Sequence, residues 1–308
     1  MNEGKMKAVV YEKYGSPEVL KIKEIAKPSP KDNEVLVKIH CTTVTAGDIR
    51  MRKFDVPRSQ WLIARIFLGF FKPKKAVLGM EISGEIINAG KNVTKFKKGD
   101  RVFASTLSTK LGGYSEYKCF PEDEIISVMP EEMKYEQAAT LPVGGATAVR
   151  FLRKGKIKSG QKVLINGASG SVGTFAVQIA KHYGAEVTGV CSTTNIALVK
   201  SIGADYVIDY KKEDFTRNGK KYDLIIDAVD KADKSKCKSI LNDNGMFLSL
   251  TGNAGKENVE DLEFLKKLIE NGELKPVIDK IYSLTEIVKA HTYVQKGHKK
   301  GNVVIKII

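Results

Sequence analysis

The feature that most constrains the fold of this chain is a glycine-rich turn that separates a strand from a helix. Residues 162–167 (KVLING) form a short apolar run typical of a buried strand, and residues 172–184 (VGTFAVQIAKHYG) have helical spacing. In the turn, Gly170 and Gly173 match a dinucleotide-binding fingerprint, and Ala168 stands where its first glycine usually stands. Glycines let backbone approach a pyrophosphate, which the amides at the helix start can bind. The residues of the turn predicted to bind a cofactor are Ser169, Gly170, Ser171, Val172 and Gly173.

The region after this turn alternates between strands and helices. Strands rich in Val, Ile and Leu are predicted at 186–191, 206–210, 222–229 and 245–252, with a helix at 195–203. Such alternation is typical of a parallel sheet with helices on both faces. In that setting a cofactor site is favoured over a glycine turn without a ligand. Residues at the ends of the later strands that are assigned to the same site are Val229, Leu250 and Thr251.

The strand at 186–191 ends in a stretch that selects between two cofactors. An enzyme that uses NAD usually places Asp or Glu here, where the carboxylate binds the ribose 2′-hydroxyl. This chain has CSTTN instead, and no acidic residue occurs between Glu186 and Asp205. The hydroxyls of Ser192 and Thr193 can donate to a 2′-phosphate, which a carboxylate would repel. The sequence therefore predicts NADP(H).

The first part of the chain has the pattern of a β domain. Short alternating runs between turns, such as 34–44 (EVLVKIHCTTV) and 100–106 (DRVFAST), predict a small barrel or sandwich. Residues 130–155 are predicted to be helical in two pieces, the first beginning at Pro130. A chain of 308 residues has room for about two domains. We therefore expect a β domain followed by an α/β domain.

The formal net charge is +15, from 51 Lys and Arg against 36 Asp and Glu. The lysines are scattered in pairs such as Lys97-Lys98, which favours a solvated surface over a nucleic-acid-binding face. The four cysteines are far apart and predict neither a zinc knuckle nor a disulfide framework. The chain has no apolar signal-peptide core and no apolar run of about 20 residues, so a cytoplasmic protein without a transmembrane segment is predicted.

Nearly the whole chain, in order, resembles the medium-chain dehydrogenase/reductase superfamily and, within it, the zinc-free quinone oxidoreductase branch. The matching stretches are MKAVVYEKYGSPEVLKIKEI, NEVLVKIHCTTVTAGDIRMR, GMEISGEIINAGKNVTKFKKGDRVF, GGYSEY, AATLPVGGATA, VLINGASGSVGTFAVQIAK, GVCSTTN, GADYVIDY and KGHKKGNVVI. The resemblance implies an α/β protein in which residues 1–129 and 273–308 form a chaperonin-10-like (GroES-like) β-barrel domain. It also implies that residues 130–272 form a Rossmann domain, a doubly wound parallel sheet that binds NADP(H).

Zinc dehydrogenases of this superfamily hold a catalytic zinc with a Cys, a His and a third Cys, Asp or Glu. The matching positions here carry Thr45 and Met80, which are not zinc ligands, and the four-cysteine structural zinc lobe is absent from the sequence. His40 and Cys41 are neighbours on a predicted strand, so their side chains are expected to point to opposite faces. No metal site is therefore predicted.

The predicted lack of zinc bears on the substrate. Without a Lewis acid a simple ketone is hard to polarise, whereas quinones and α,β-unsaturated carbonyls delocalise electrons onto a distal oxygen. The leading hypothesis is a zinc-independent, NADPH-dependent oxidoreductase that reduces such acceptors by hydride transfer. Two alternatives stay open: a zinc-free alcohol or carbonyl dehydrogenase, and a non-catalytic relative that binds NADPH or RNA. No residue identifies itself as the catalytic acid.

The resemblance implies a cleft between the two domains, with the nicotinamide near the loop TVTAGD. It places Thr45 and Asp48 in the substrate pocket, Thr147 near the nicotinamide ribose or the phosphates, and Tyr210 near the adenine end. Thr45 is expected to hydrogen-bond a substrate oxygen. Asp48 is expected either to line the pocket or to cap the segment that follows.

Residues 61–75 (WLIARIFLGFFKPKK) form an apolar insertion next to this loop. Trp61, Phe67 and Phe70 are assigned to the substrate pocket, because aromatic walls suit flat apolar substrates. Three interpretations of the insertion stay open: core packing of a short helix, a lid over the substrate, and contact with a membrane surface.

The chain is short after GMFLSLTG, where only NAGKENV precedes a helix predicted from residue 260. In the family, additional sheet structure usually lies at this point and commonly forms the edge used for dimerisation. A homodimer is therefore possible but doubtful.

Overall fold

A computed structural model of the chain describes residues 4–56, 61–74, 76–251 and 255–308. The side chain of Phe67, one of the predicted pocket residues, lies outside what the structure describes. The strands are β1 (Lys5–Val10), β2 (Lys21–Ala26), β3 (Glu34–Thr43), β4 (Glu81–Ala89), β5 (Arg101–Ser105), β6 (Tyr117–Pro121), β7 (Ile126–Val128), β8 (Lys162–Asn166), β9 (Glu186–Cys191), β10 (Tyr206–Asp209), β11 (Tyr222–Asp227), β12 (Leu241–Ser249), β13 (Ile278–Ser283) and β14 (Asn302–Lys306). The helices are α1 (Ala46–Lys53), α2 (Trp61–Leu68), α3 (Tyr135–Ala138), α4 (Ala146–Lys154), α5 (Ser171–His182), α6 (Ile196–Ser201), α7 (Lys234–Ser239), α8 (Val259–Glu270) and α9 (Ile287–Gln295).

The chain forms two compact units, the first of residues 1–143 and 278–308 and the second of residues 144–277. In the first unit one sheet has the order β13-β14-β3-β4-β5-β7, with β6 also paired to β3, and β1 pairs with β2. Strands β13 and β14 run parallel, and the other pairs are antiparallel. Because β14 pairs with β3, the C-terminal segment completes the sheet that the first part of the chain begins.

Strand alternation builds the core of the first unit. In β3, Val35, Val37 and Ile39 are fully buried, and they share a cluster with Ile82 of β4 and Val102 of β5. The spacing of two residues places these side chains on one face of the sheet. The period-two pattern seen in the sequence therefore corresponds to the inner face of the β unit.

The helix predicted to begin at Pro130 is wrong at its start, since α3 begins only at Tyr135. Residues 130–133 form a turn in which Met133 N donates to Pro130 O at 3.2 Å. The Arg101 guanidinium donates to Glu131 O at 2.6 Å and also to Met133 O. These carbonyls are therefore bound by a side chain from β5 and do not begin a helix.

Helix α3 is held within the first unit. The Tyr135 ring stacks on His40 of β3 with the ring centroids 4.2 Å apart, and Ser83 Oγ of β4 donates to Tyr135 O at 2.7 Å. These contacts account for the position of the unit boundary after Val143, later in the chain than residue 129.

The second unit contains one parallel sheet with the order β10-β9-β8-β11-β12. The chain first adds strands on one side of β8 and then adds β11 and β12 on the other side. In such sheets ligands bind at the carboxyl ends of the strands, beside the point where the order reverses. The predicted doubly wound sheet thus provides an edge on which a cofactor can bind.

The sheet of the second unit is short on one side. In the described part of the chain it has five strands, and β12 lies at its edge. Residues 255–258 after β12 are not in a strand, and α8 begins at Val259. The predicted shortening lies in this part of the chain, of which residues 252–254 fall outside the described residues.

All four cysteines lie in described parts of the chain, and none of them forms a disulfide. Cys41, Cys191 and Cys237 are buried. Burial raises the pKa of the Cys41 thiol to about 12, so this thiol remains protonated at neutral pH. No helix within the described ranges combines the length and the apolar character that crossing a bilayer requires.

Candidate functional site

The glycine turn lies between β8 and α5, at the carboxyl edge of the parallel sheet. Gly170 N donates to Gly167 O at 2.9 Å and closes the turn. A Cβ at Gly173 would lie 2.1 Å from Gly167 O, so a side chain there would force the helix away from the turn. Gly170 is the N-cap of the 12-residue helix α5, and among the described residues no side chain caps the helix. This helix start has the form that binds phosphate through backbone amides.

Ala168 replaces the first fingerprint glycine without disturbing the turn. Its side chain is fully buried, and its amide donates to Val190 O at 3.0 Å, which ties the turn to β9. The preceding residue of β9 is Gly189, where an added Cβ would lie 3.0 Å from the Ala168 Cβ. The methyl group of Ala168 thus lies against a position on the neighbouring strand that carries no side chain.

Asn195 links the glycine turn to the loop after β9, and it was not predicted as a site residue. Its Nδ2 donates to Ser169 Oγ at 2.9 Å, and the residue is 7% exposed. Within the described residues its Oδ1 is buried and has no hydrogen-bond partner. A buried acceptor left in this way costs about 1–3 kcal/mol, which fits a bound group that donates a hydrogen bond. The signal in the sequence is an amide in a run of hydroxyl residues, and this pattern also occurs in helix caps.

Asp227, at the end of β11, fixes the loop that follows it beside the glycine turn. Its Oδ1 accepts from Asn166 Nδ2 at 2.9 Å, and its Oδ2 accepts from Ala232 N at 2.8 Å. Val229 lies in this loop, and a Cβ at Gly167 would be 2.5 Å from Val229 Cγ1. Val229 therefore packs directly on the turn, at the edge where it was predicted to contact the cofactor.

Leu250 and Thr251 follow β12 at the same edge. Leu250 N donates to Asp227 O at 3.3 Å, and Thr251 N donates to Asp230 Oδ1 at 2.9 Å. The ends of the three neighbouring strands β8, β11 and β12 are thus connected through two aspartates. Neither aspartate was singled out in the sequence, because their partners follow other strands.

Thr147 belongs to α4, a helix that packs against α5. Gly144, two residues before α4, lies so close to α5 that an added Cβ would be 2.3 Å from Ser171 Oγ. Thr147 is partly exposed, and its Oγ1 accepts from Arg150 Nη2 at 3.1 Å. The start of α4 is therefore near the glycine turn, as the assignment of Thr147 to the cofactor site requires.

Ser192 and Thr193 follow β9, where they were predicted to bind a 2′-phosphate. Thr193 Oγ1 donates to Asp209 Oδ2 at 2.6 Å, so this hydroxyl already has an acceptor. Asp209 ends β10, and the pairing of β10 with β9 places it beside Thr193. The interval after Glu186 lacks acidic residues, but the fold supplies a carboxylate from the next strand.

The Asp209 carboxylate lies next to positive groups. The Thr193 hydroxyl, followed by the Lys211 amide and the charge of Lys212, holds the pKa of Asp209 below its usual range. Tyr210 is 52% exposed, and its amide donates to Cys191 O at 3.1 Å. Lys211 and Lys212 thus bring two ammonium groups to this end of the site, and cationic groups suit a phosphate group.

In the first unit, Thr45 and Asp48 form a capping box at the start of α1. Thr45 Oγ1 accepts from Asp48 N at 3.1 Å, and Asp48 Oδ2 accepts from Thr45 N at 2.9 Å. Thr45 Oγ1 also donates to Asp48 Oδ2 at 2.7 Å, and Asp48 Oδ1 accepts from Gly79 N at 2.9 Å. Asp48 is fully buried, whereas Thr45 is partly exposed. The hydrogen bonds of Asp48 are those of a helix cap, and Thr45 is the member of the pair that solvent reaches.

A buried chain of polar side chains continues from Asp48. Burial raises the pKa of Asp48, while hydrogen bonds from Thr45 and Tyr114 lower it. Tyr114 is fully buried, and its hydroxyl lies 3.2 Å from His291 Nε2. Burial, followed by the charge of Arg52, lowers the pKa of His291 to about 3, so this ring is neutral. The chain Thr45–Asp48–Tyr114–His291 thus connects a predicted pocket residue to the core.

Glu81 is a second buried carboxyl, and sequence analysis did not single it out. It begins β4 and is 1% exposed. Its Oε2 accepts from Val143 N at 2.7 Å, and its Oε1 accepts from Thr43 Oγ1. Burial raises the pKa of Glu81 to about 8. An acidic residue inside the apolar run VLGMEISGEII was the available signal.

The positions that match the zinc ligands of zinc dehydrogenases do not fit a zinc ion. Thr45 Oγ1 lies 3.3 Å from Met80 Sδ, so a hydroxyl and a thioether meet where zinc requires thiolate, imidazole or carboxylate. Across the described ranges, no three His, Cys, Asp or Glu side chains form a group that could hold a metal.

Trp61 and Phe70 belong to an aromatic cluster beside α1. The Trp61 ring lies 6.2 Å from the Phe70 ring and 6.2 Å from the Phe54 ring, measured between centroids. Trp61 is 42% exposed and Phe70 is 49% exposed. The structure thus brings together the two predicted aromatic pocket residues whose side chains it describes.

Two family models match the chain. The alcohol dehydrogenase GroES-like domain matches residues 31–131, within the first unit, and the zinc-binding dehydrogenase model matches residues 202–305. The predicted GroES-like domain is confirmed by the first of these matches.

Curated proteins and solved structures resemble the chain over most of its length. It is 32% identical over 97% of its length to the 2-methylene-furan-3-one reductase of Solanum lycopersicum, of which it covers 79%. It is 31% identical over 97% of its length to the chloroplastic NADPH-dependent alkenal/one oxidoreductase of Arabidopsis thaliana, of which it also covers 79%. The structure of the quinone oxidoreductase from Coxiella burnetii aligns with a TM-score of 0.86 and 29% identity, over 99% of this chain and 100% of that one.

Proposed function

Because the chain belongs to the medium-chain dehydrogenase/reductase superfamily, in its quinone oxidoreductase-like branch, we propose that it is an NADPH-dependent reductase of quinones or α,β-unsaturated carbonyls. The named relatives reduce acceptors of these two kinds. The observation that carries the proposal is the pairing of a dinucleotide-type glycine turn with positions that cannot hold zinc. A conjugated acceptor is the substrate class that such a site can reduce without a Lewis acid.

The second unit would hold NADPH along the carboxyl edge of its sheet. The start of α5 would bind the pyrophosphate, and Lys211 and Lys212 beside Tyr210 would take the 2′-phosphate. The unpartnered Oδ1 of Asn195, buried between the turn and the loop after β9, would accept a hydrogen bond from the cofactor. When bound, the reduced nicotinamide supplies the hydride.

In the first unit, Thr45 would hydrogen-bond the oxygen of the acceptor. Its hydrogen lies on the 2.7 Å bond to Asp48 Oδ2, so it is available to a substrate only when Asp48 itself is protonated. Burial raises the pKa of Asp48 and so favours that neutral form. A protonated Asp48 would donate to Thr45 Oγ1, and Thr45 would donate to the substrate oxygen as negative charge develops there.

The proposal is tested with purified protein, NADPH and a panel of a short-chain quinone, a short-chain enone and a saturated ketone. We expect NADPH oxidation with the quinone or the enone, and activity that survives prior treatment with a zinc chelator. Absence of turnover with every conjugated acceptor would contradict the proposal. Turnover of the saturated ketone alone, also resistant to chelator, would identify a carbonyl dehydrogenase instead.

The role of Thr45 is tested by a pair of variants. Thr45→Val removes the hydroxyl and keeps the shape, and we expect kcat/KM to fall about tenfold or more, the size expected for one lost hydrogen bond to a charged oxygen. Thr45→Ser keeps the hydroxyl and should retain most of the activity. Equal activity in both variants would exclude the hydroxyl from the reaction. Circular dichroism of each variant controls for loss of the capping box.

The free cysteines bear on the location of the protein. We propose that the protein works in a reducing compartment such as the cytoplasm, where its four unpaired cysteines would remain thiols.

A further inference from the structure

Helix α2 and the segment after it expose a group of large apolar side chains. Leu62 is 61% exposed, Ile63 and Ile66 are each 59% exposed, and Phe71 is 90% exposed. At 100° per residue, Leu62, Ile63 and Ile66 lie on one side of the helix. We call these four residues the α2 face. Single exposed apolar residues are ordinary, but four that share one helix and its continuation form a patch of the kind that marks an interaction site.

The orientation of α2 is the reverse of that expected for a helix on a water-exposed surface. Arg65, the one charged residue in its sequence, points inward, with its guanidinium 4.0 Å from the Phe54 ring centroid and 5.0 Å from that of Trp61. Arg65 Nη1 also donates to Phe70 O at 2.9 Å. Cation–π contacts therefore fix the charge against the protein and leave the aliphatic side outward.

The position of α2 is fixed by contacts to the rest of the first unit. Tyr14 Oη donates to Leu68 O at 2.8 Å, which ties the end of the helix to the N-terminal segment. The Tyr14 ring also lies 4.9 Å from Phe54, under the same guanidinium. The outward direction of the α2 face is thus a property of a packed cluster.

Positive charge lies directly beside the α2 face. Lys72 is exposed, and the Lys74 ammonium donates to Ile66 O at the end of the helix. Glu12 is the carboxylate near Lys72, and it is paired with Lys23 at 2.7 Å. The chain as a whole carries a net charge of +15. An apolar patch bordered by lysines on a basic protein is complementary to a surface that has an apolar interior and negatively charged groups on its outside.

From this arrangement we propose that the α2 face docks the protein on the surface of an anionic lipid membrane. The helix would lie in the plane of the interface, with Leu62, Ile63, Ile66 and Phe71 among the acyl chains and Lys72 and Lys74 at the headgroups. A second copy of this chain is the weaker occupant, because it would bring its own net charge of +15 and the same lysines to the contact. Docking would bring the protein to apolar acceptors dissolved in the bilayer. Membrane docking does not depend on the proposed reductase activity.

The experiment is co-sedimentation of the full-length protein with vesicles of phosphatidylcholine alone or of phosphatidylcholine with phosphatidylserine. We expect binding to the anionic vesicles that weakens as salt is raised, and binding to neutral vesicles that is several-fold weaker. Ile66→Glu and Phe71→Glu should each lower the partition coefficient by about tenfold or more, because each places a charge where the acyl chains begin. Lys72→Gln should lower it by about fivefold, the effect of one basic residue near an anionic surface.

The matched controls are Ile308→Glu, at the C-terminal isoleucine, which is 52% exposed, and Lys98→Gln, at an exposed lysine in the turn before β5. Both should bind vesicles like the unmodified protein. Each variant should keep its circular dichroism spectrum, which shows that exposed substitutions leave the fold intact.

Three results would overturn the proposal. The first is that the unmodified protein does not sediment with anionic vesicles at low salt, or binds neutral vesicles equally well. The second is that Ile66→Glu and Phe71→Glu bind like the unmodified protein, which would assign binding to general basicity. The third is self-association without vesicles that Ile66→Glu abolishes, which would assign the α2 face to a second copy. Because vesicle binding is measured without NADPH or substrate, a failure here is distinct from a failure of the reductase assay.

Discussion

Two threonine–aspartate pairs in this protein have nearly the same hydrogen bond and different surroundings. In the first unit Thr45 donates to Asp48 at 2.7 Å, and in the second unit Thr193 donates to Asp209 at 2.6 Å. Asp48 is fully buried, and burial raises its pKa. Asp209 lies beside Lys211 and Lys212, and its pKa is held below the usual range, first by the Thr193 hydroxyl.

The difference shows that the environment of a pair, and not its geometry, determines what the pair can do. Both oxygens of Asp48 are bound by groups that also fix the fold, namely the start of α1 and the Gly79 amide. The carboxylate of Asp209 is charged at neutral pH and faces a region where a phosphate is expected. We therefore expect changes at Asp48 to act on stability as well as on the Thr45 hydroxyl, and changes at Asp209 to act mainly on cofactor affinity.

The largest expected effect follows from Asp48→Ala. The substitution leaves the Thr45 amide and the Gly79 amide without their acceptor inside the protein, whereas the partly exposed Thr45 hydroxyl keeps Met80 Sδ at 3.3 Å. Buried donors without partners cost about 1–3 kcal/mol each, so we expect the free energy of unfolding to fall by about 3–5 kcal/mol. Urea denaturation followed by circular dichroism measures this change.

A matched control for Asp48→Ala is available in the first unit. Glu286 accepts hydrogen bonds from Ser283 N at 3.2 Å and from Ser283 Oγ at 3.1 Å, with the same spacing of three residues but at the surface. Glu286→Ala should shift the urea midpoint much less than Asp48→Ala. Similar shifts for the two variants would contradict the view that burial distinguishes the Thr45–Asp48 pair.

A smaller effect, which also tests burial, comes from His291 behind the Thr45–Asp48 pair. Burial and the charge of Arg52 lower the pKa of His291 to about 3, compared with about 6.5 in the unfolded chain. As the pH falls below 6.5, the unfolded chain gains a proton that the folded chain does not, so stability is lost. The loss is about 1.4 kcal/mol per pH unit, or about 2 kcal/mol between pH 6.5 and pH 5.

The measurement is the difference in unfolding free energy between pH 6.5 and pH 5, in the unmodified protein and in His291→Gln. The variant should lose less stability over this range by about 2 kcal/mol. His40→Gln is the comparison, because His40 is only partly buried, although burial also lowers its pKa. This variant should change the pH dependence less than His291→Gln does. An identical pH dependence in His291→Gln and the unmodified protein would contradict the prediction. It would mean that His291 takes up a proton in the folded protein as readily as in the unfolded chain.

The order of strands and helices could be predicted from the sequence, because burial leaves a periodic pattern. The alternation of Val35, Val37 and Ile39 marks the inner face of β3, and the continuous apolar strands β8 and β11 mark a sheet covered on both faces. The start of α3 could not be predicted in this way. It depends on hydrogen bonds from Arg101 to Glu131, 30 residues along the chain, which no local pattern records.

The candidate site also contains features that a local sequence pattern records and features that depend on residues far apart in the chain. The glycine turn was visible because its members are close together in the chain, and capping of the following segment was one of the two roles expected of Asp48. The partnership of Thr193 with Asp209 depends on which strand lies beside β9, and that is a property of the sheet order. The sequence therefore predicted the turn between β8 and α5, which the structure has, but it could not show that Asp209 lies beside Thr193.

The smallest expected effect tests that carboxylate directly. Asp209→Asn keeps a side chain that can accept from the Thr193 hydroxyl and removes the negative charge beside Lys211 and Lys212. If this end of the site takes the 2′-phosphate, NADPH should bind about fivefold more tightly, the effect of removing one like charge near a protein surface. NADH lacks that phosphate, so its affinity should change by less than about twofold. Calorimetric titration with each cofactor measures the two dissociation constants.

The control for Asp209→Asn is the same change at the other end of the same strand. Asp205 precedes β10 and pairs with Lys181 at 2.8 Å. Four residues of strand separate the two carboxylates by about 13 Å, which is more than the Debye length of about 8 Å at physiological salt. Asp205→Asn should therefore leave the preference for NADPH over NADH unchanged. An equal shift for both cofactors in Asp209→Asn would place the 2′-phosphate elsewhere. Weaker NADPH binding would show that Asp209 acts by holding Thr193 and the Lys211 amide in place.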